Sequence, residues 1–312
     1  MRFDEQAEKF IQEIQTRRRS PVRQATVRIY QSYLDRHILP PLGACDLERI
    51  ENGTGKRFVA YLNSQKLAPS TVNAIFNVVK AVVASAVDEN GNELYPRKWN
   101  PDFLDLPIVA KADQDAPIVT PEQVTAAVSS SSGQLQALIV ILAATGLRIG
   151  ECLALRAYSD GYSDRNSNWY PETGVIEVKS TLVKGKVEPQ PKTASGIRGI
   201  DLHPDINDYL KQAGLPETGF LFQNSLGDRV RIETLYDQLE ALGLDTGFHA
   251  FRRFRATHLE SQNVPRSLTA YWLGHAGNSI TDRYIKIGQD LKTRKEWAER
   301  AGFGFELPKE RQ

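Results

Sequence analysis

The sequence has little cysteine and no long apolar run. Only two of its 312 residues are cysteine, Cys45 and Cys152, which excludes a disulfide framework and a four-thiolate zinc site. No stretch approaches the ~18 consecutive apolar residues of a membrane-spanning helix. Acidic residues, not an apolar segment, follow Met1, so a secretory signal is not expected. These absences favour a soluble, cytoplasmic protein with no membrane partner.

The chain also has almost no net charge, because it contains 39 basic and 38 acidic residues. Taken alone, this argues against a nucleic-acid partner, but the distribution matters more than the sum. Basic residues outnumber acids between residues 9 and 36, and three arginines lie within 252–255. Each cluster predicts a DNA-binding face, with a solvated charge run as the alternative. The candidate DNA-binding residues are Arg17, Arg18, Arg19, Arg23, Arg28, Arg253 and Arg255.

Two domains are expected from the length and from the hydrophobic pattern. Residues 1–110 predict an all-helical domain, most clearly over 70–87, where apolar residues recur at i, i+3, i+4 and i+7. Another helix is predicted from Thr26 to Pro40-Pro41. Prolines then punctuate the chain, which predicts a linker over 111–120.

The second domain, 121–312, has a mixed texture. Thr120 and Gln123 predict a capping box at its first helix, and a further apolar helix ends at Gly146. Residues 175–179, 181–183 and 197–202 are β-prone, with a turn at 184–186. The predicted fold class is mainly α with a small antiparallel β-sheet: an all-helical domain followed by an α+β domain.

Four short motifs carry residues suited to phosphate chemistry. Each has an ordinary structural alternative: an intrahelical ion pair, a solvated hairpin lysine, a surface helix or a half-buried tyrosine. In chain order they are Thr145-Gly146-Leu147-Arg148 with Glu151; Pro191-Lys192-Thr193; His249-Ala250-Phe251-Arg252; and Leu273-Gly274-His275 followed by Tyr284.

Together, in this order, the motifs resemble the tyrosine recombinase family, which includes phage integrases and the Xer enzymes. The resemblance spans nearly the whole chain, since residues 1–110 are similar to the family's helical core-binding domain. It implies a catalytic set of Arg148, Lys192, His249, Arg252, His275 and Tyr284, supported by Glu151. Lys184 and Lys186 compete with Lys192 for the role of the lysine. No arm-binding domain is expected before the core-binding domain.

The implied reaction is attack of the Tyr284 hydroxyl on a DNA phosphodiester, which gives a 3′-phosphotyrosine. Arginine forks bind the phosphate oxygens, so no metal, cofactor or ATP is expected. His249 would serve as general base and Lys192 as general acid, while His275 would donate a hydrogen bond to phosphate. Glu151 would orient its neighbours.

The resemblance also implies double-stranded DNA as partner and a homotetramer on DNA with exchange of the C-terminal tail. Packing of that tail, an apolar stripe from Leu291 to Phe303, onto the chain's own core is the alternative. Three other functions stay open: a type IB topoisomerase-like nicking-closing enzyme, a non-catalytic DNA-binding protein that keeps the fold, and a helical scaffold.

Overall fold

The chain divides into two compact units, residues 1–115 and 116–312. The structure is a computed structural model that describes residues 1–19, 21–109, 116–157, 165–189, 197–275 and 287–308. Among the helices in these ranges, none is long and apolar enough to cross a membrane.

The regular elements of the first unit are helices among its described residues. Its α-helices are α1 (Phe3–Thr16), α2 (Gln24–Tyr33), α3 (Leu39–Leu42), α4 (Asn52–Ser64), α5 (Pro69–Ala84) and α6 (Pro101–Leu104), with a π-helical turn at Leu34–Ile38 and a 3-10 turn at Leu47–Arg49.

Helix α5 confirms the prediction made from apolar spacing. Its apolar face, together with Ala86 just beyond the helix, is almost fully buried because residues at this spacing share one side of a helix. Helix α1 buries Phe3, Phe10 and Ile14 in the same core.

The prediction that Pro40-Pro41 stops a helix is wrong. The chain continues from α2 through the π-helical turn into α3, which contains both prolines. Proline is tolerated in the first turn of a helix, since its missing N–H has no intrahelical partner there. The π-helical turn shifts the hydrogen-bond register just before the prolines, so they fall in such a first turn.

The second unit combines helices with two small sheets. Its α-helices are α7 (Pro121–Ser130), α8 (Gly133–Thr145), α9 (Ile149–Cys152), α10 (Pro204–Gln212), α11 (Ile232–Ala241), α12 (His249–Ser261), α13 (Arg266–Leu273) and α14 (Leu291–Ala301). Its strands are β1 (Leu155–Arg156), β2 (Ser167–Tyr170), β3 (Val175–Val178), β4 (Ser180–Val183), β5 (Lys186–Pro189) and β6 (Arg198–Asp201).

The larger sheet has the order β1-β2-β3-β6, with β1 and β2 parallel and the other pairs antiparallel. Strands β4 and β5 form a separate hairpin around Lys184 and Gly185, so Lys186 begins β5 instead of ending the turn. The predicted class, mainly α with a small sheet, is confirmed.

Helix α8 forms the centre of the second unit. Residues 137–145 are all buried, so this part of the helix is covered on every side. The predicted capping box starts the preceding helix: Gln123 N–H donates to Thr120 Oγ1 at 3.2 Å, and Thr120 N–H donates to Gln123 Oε1 at 2.9 Å.

Candidate active site

Helix α8 ends at Gly146, which takes φ +67°. A Cβ at Gly146 would lie 2.7 Å from Leu273 Cδ2, so the position needs glycine both for its backbone conformation and for space. This close approach brings the ends of α8 and α13 together, and Arg148 follows two residues later.

Arg148 stands at the N-terminus of α9, where Glu151 holds it. The Arg148 backbone N–H donates to Glu151 Oε2 at 3.0 Å, and Nη1 donates to Oε1 at 3.0 Å. The Glu151 side chain is fully buried, whereas that of Arg148 is 45% exposed. The guanidinium is therefore fixed on one side and open to a ligand on the other.

A second arginine, Arg198 on β6, also binds Glu151. Its Nη2 donates to Glu151 Oε2 at 2.9 Å, and its Nε donates to the Trp272 carbonyl at 2.7 Å. Burial acts to raise the pKa of Glu151, but Arg198 and Arg148 outweigh it and hold the pKa below its ordinary value. The carboxylate is thus ionised between two cations.

Arg252, on the first turn of α12, is buried and binds two of the converging chain ends. Its Nη1 donates to the Gly146 carbonyl at 2.9 Å, and its Nη2 donates to the Leu273 carbonyl. Burial, followed by the charge of Arg148, lowers the pKa of Arg252 to about 10, so it stays protonated at neutral pH.

His249 and His275 share this positive environment. Burial and then the charges of Arg252, Arg253 and Arg148 lower the pKa of His249 below its ordinary value. Burial, Arg252 and Arg148, in that order, lower the pKa of His275, with smaller effects of Arg198 and His249. Both imidazoles are therefore neutral at pH 7, and the structure brings them together with the two arginines.

Lys192 and Tyr284 lie outside the described residues. Strand β5 pairs with β4 and strand β6 pairs with β3, so residues 190–196 connect two different sheets. Lys184 lies at the hairpin turn and lines a cavity of about 610 Å³ with Ile149 and Gly150 of α9. Lys184, Lys186 and Lys192 all remain candidates for the lysine.

The five candidate DNA-binding arginines of the first unit are all exposed on or near α1 and α2. In the second unit, Arg253 donates from Nε to the Pro117 carbonyl at 2.6 Å. Arg255, in contrast, is 5% exposed and donates to the Gly302 carbonyl at 2.7 Å, which does not favour the predicted contact with DNA. Its position on α12 turns it toward the C-terminal segment and away from solvent.

That C-terminal segment packs on its own unit. Ala298, Ala301 and Phe305 are buried in the core, and His258 Nε2 lies 2.8 Å from the Ala301 carbonyl oxygen. Arg294 donates two hydrogen bonds to the Asp201 carboxylate, one of 2.8 Å from Nε and one of 2.9 Å from Nη2. The arrangement matches the alternative in which the tail covers its own core.

Sequence reasoning missed Arg198 and Asp201. Both lie in the four-residue strand β6, in which Ile200 is buried, and the next residue, Leu202, is buried as well. Two charged residues inside such an apolar stretch are the signal that could have found them, since buried charges are costly without partners.

A family model for the phage integrase family matches residues 118–289, more than half of the chain. The tyrosine recombinase XerC-like protein of Caldanaerobacter subterraneus subsp. tengcongensis is 24% identical over 251 residues, covering 72% of this chain and 64% of its own. Tyrosine recombinase XerD of Rickettsia prowazekii is 25% identical over 259 residues, covering 76% of this chain and 78% of its own. The chain thus spans somewhat less than two thirds of the XerC-like relative.

Solved integrases share the fold. The Tn1549 transposon integrase in complex with transposon right end DNA gives a TM-score of 0.69 at 20% identity, covering 92% of this chain and 98% of that chain. A lambda integrase dimer bound to a COC′ core site gives 0.58 at 16% identity, covering 90% and 94%. The chain belongs to the phage integrase family, which confirms the resemblance drawn from its motifs.

Proposed function

We propose that the protein is a site-specific DNA recombinase that cuts and rejoins DNA through a 3′-phosphotyrosine at Tyr284. The observation that carries the proposal is the convergence of Arg148, Arg252, His249 and His275 at the ends of α8 and α13. Two guanidinium groups and two neutral imidazoles that lie close together suit an anionic diester.

The arginines account for charge stabilisation. Attack on a phosphodiester concentrates negative charge on the non-bridging oxygens, and a guanidinium binds such oxygens without losing its proton. Preorganised donors in a partly desolvated site are worth more than the same donors in water. Arg148 is fixed by Glu151 and Arg252 by two carbonyls, so neither must reorganise during the reaction.

The nucleophile needs a base, because an unperturbed tyrosine has a pKa of about 10. His249 is neutral at pH 7 and can take the Tyr284 proton as the phenolic oxygen attacks phosphorus. The bond from phosphorus to the 5′ oxygen breaks, and Lys192 protonates that oxygen. A 5′-hydroxyl then reverses these steps, so the energy of the diester is conserved and neither ATP nor metal is consumed.

Double-stranded DNA is the proposed partner. Similar solved structures include the Tn1549 transposon integrase in complex with transposon right end DNA and a lambda integrase tetramer bound to a Holliday junction. The exposed arginines near α1 and α2 suit phosphate contacts, which carry most non-specific affinity. A homotetramer on DNA is the corresponding assembly.

Tail exchange within that tetramer would place the contacts of α14 on a neighbouring subunit. The pair of Arg294 and Asp201 could form between subunits as it does within one, as in other domain swaps. A mixture of Asp201→Asn and Arg294→Met variants tests this, because exchange restores one intact pair in trans. Activity of the mixture above either variant supports exchange, and activity no higher than theirs argues against it.

Covalent trapping tests the function. Wild type and Tyr284→Phe are expressed in the native host, the cells are denatured, and protein-linked DNA is sequenced. We expect adducts at a defined site from wild type only. Sites bound without adducts would favour the non-catalytic DNA-binding protein, and adducts without recombination between two sites would favour the topoisomerase-like enzyme.

A further inference from the structure

Arg198 is a charged residue buried inside the second unit. Its side chain is 1% exposed, next to the fully buried carboxylate of Glu151. Burying an ion pair gives little net stability, and apolar residues of similar volume often serve as well or better. The placement of Arg198 between Glu151 and the Trp272 carbonyl therefore points to a role beyond core packing.

We propose that Arg198 is a positioning residue for strand cleavage, an inference that rests on the proposed function. Through Glu151 it supports Arg148, and through the Trp272 carbonyl it supports the chain that leads to His275. The two phosphate-binding groups Arg148 and His275 thereby share one rigid support on β6.

The contact with the chain before His275 is tight. Gly274 takes φ +65°, and a Cβ there would lie 2.8 Å from both Cζ and Nη1 of Arg198. The guanidinium thus lies against the backbone of Gly274, so a change at Arg198 reaches His275 directly.

Charge gives Arg198 a second effect. Glu151 is one anion between two cations, so the group of Arg148, Glu151 and Arg198 carries a net charge of +1. Without Arg198, Glu151 would neutralise Arg148, whose open side faces the ligand. With Arg198 present, Arg148 keeps an effective positive charge for a phosphate.

The first test measures the pKa of His275 by NMR in the full chain labelled at histidine. Arg198→Met should raise this pKa, because one cation is lost and Glu151 then neutralises Arg148. Arg198→Lys should leave it near the wild-type value, and so should Arg266→Met, a matched change of an arginine whose side chain is 90% exposed. An unchanged pKa in a folded Arg198→Met variant would overturn the inference.

Far-UV circular dichroism accompanies each titration, to check that the Arg198→Met variant is folded. If that variant unfolds, the double variant Arg198→Met with Glu151→Gln takes its place, since it leaves no uncompensated carboxylate. In the double variant the His275 pKa should return toward wild type. If the His275 pKa of the double variant is raised as much as the loss of one cation alone predicts, the charge argument is contradicted.

The second test measures single-turnover adduct formation on a duplex carrying the recovered site, at saturating DNA. Arg198→Met should slow the step by about 10²-fold, the scale of a misplaced reacting group, while DNA affinity changes by less than about 3-fold because most phosphate contacts lie elsewhere. Arg198→Lys should recover part of the rate. An unchanged rate, or a loss confined to affinity, would refute the positioning role. Absence of adducts from wild type would instead refute the proposed function. The NMR titration of His275 would still test the effect of Arg198 on this histidine.

Discussion

Replacing Arg294 by methionine should destabilise the second unit strongly. Arg294 and Asp201 form a bidentate pair in which the side chains are 7% and 1% exposed. Asp201 Oδ2 also accepts a hydrogen bond of 2.8 Å from Trp272 Nε1, and Arg294 Nη1 donates to the Gly288 carbonyl at 2.5 Å. One carboxylate and one guanidinium therefore join β6, α13 and α14.

Removing one partner of such a pair leaves an uncompensated buried charge, which costs about 3–5 kcal/mol. Burial acts to lower the pKa of Arg294, but Asp201 outweighs it and raises that pKa, so Arg294 is protonated at neutral pH. With a urea m-value of roughly 2–3 kcal/mol/M, the unfolding midpoint should fall by about 1–2 M urea.

Tryptophan fluorescence in urea measures this change, because Trp169, Trp272 and Trp297 all lie in the second unit. Urea is preferred since it does not screen charges. The double variant Asp201→Asn with Arg294→Met should cost clearly less than the sum of the single variants. A cost below about 1 kcal/mol for Arg294→Met, or simple additivity, would refute the reasoning.

Three further predictions concern other parts of the chain. Gly146→Ala should cost more than Gly133→Ala: both positions have positive φ, but only the first has a side chain within 4 Å of the added Cβ, and the clash adds about 1–3 kcal/mol in urea titrations. Burial, followed by the charge of Arg255, lowers the pKa of His258, so the unfolded chain takes up this proton first. His258 should therefore contribute full stability above about pH 6.5 and lose it as the pH falls further, and His258→Gln should flatten thermal unfolding midpoints over that range. Neutralising arginines 17–19 together should weaken DNA binding and reduce its salt slope by up to about 3, and an unchanged slope in salt titrations would remove these residues from the interface.

Local patterns in the sequence predict the parts of the fold that rest on local physics. The apolar face of α5 and the capping box at Thr120 follow from spacings of three and four residues, which helix geometry fixes. Strand β4 and the turn at Lys184-Gly185 follow from local β-prone residues, whereas strand β5, exposed at all four positions, was not predicted. Strands β1 and β2 were missed because a two-residue strand and a mostly polar four-residue strand show no alternation.

The candidate site divides in the same way. The motifs identify Arg148, Glu151, His249, Arg252 and His275, and the structure brings these residues together. The support of the site depends on long-range pairs, such as Arg198 with Glu151 and with Trp272, which are separated by 47 and 74 residues. No local spacing predicts such pairs. The burial of Arg255 was missed for the same reason, since Gly302 lies 47 residues further along the chain.

The central claim is that Tyr284 forms the covalent bond to DNA. The most direct measurement digests the adduct formed by the purified chain with a duplex carrying the recovered site, in the presence of EDTA, and maps the linked peptide by mass spectrometry. We predict a nucleotide 3′-phosphate on Tyr284 and no adduct from Tyr284→Phe. A phosphate on another side chain, or an adduct that forms only when metal is added, would contradict the account.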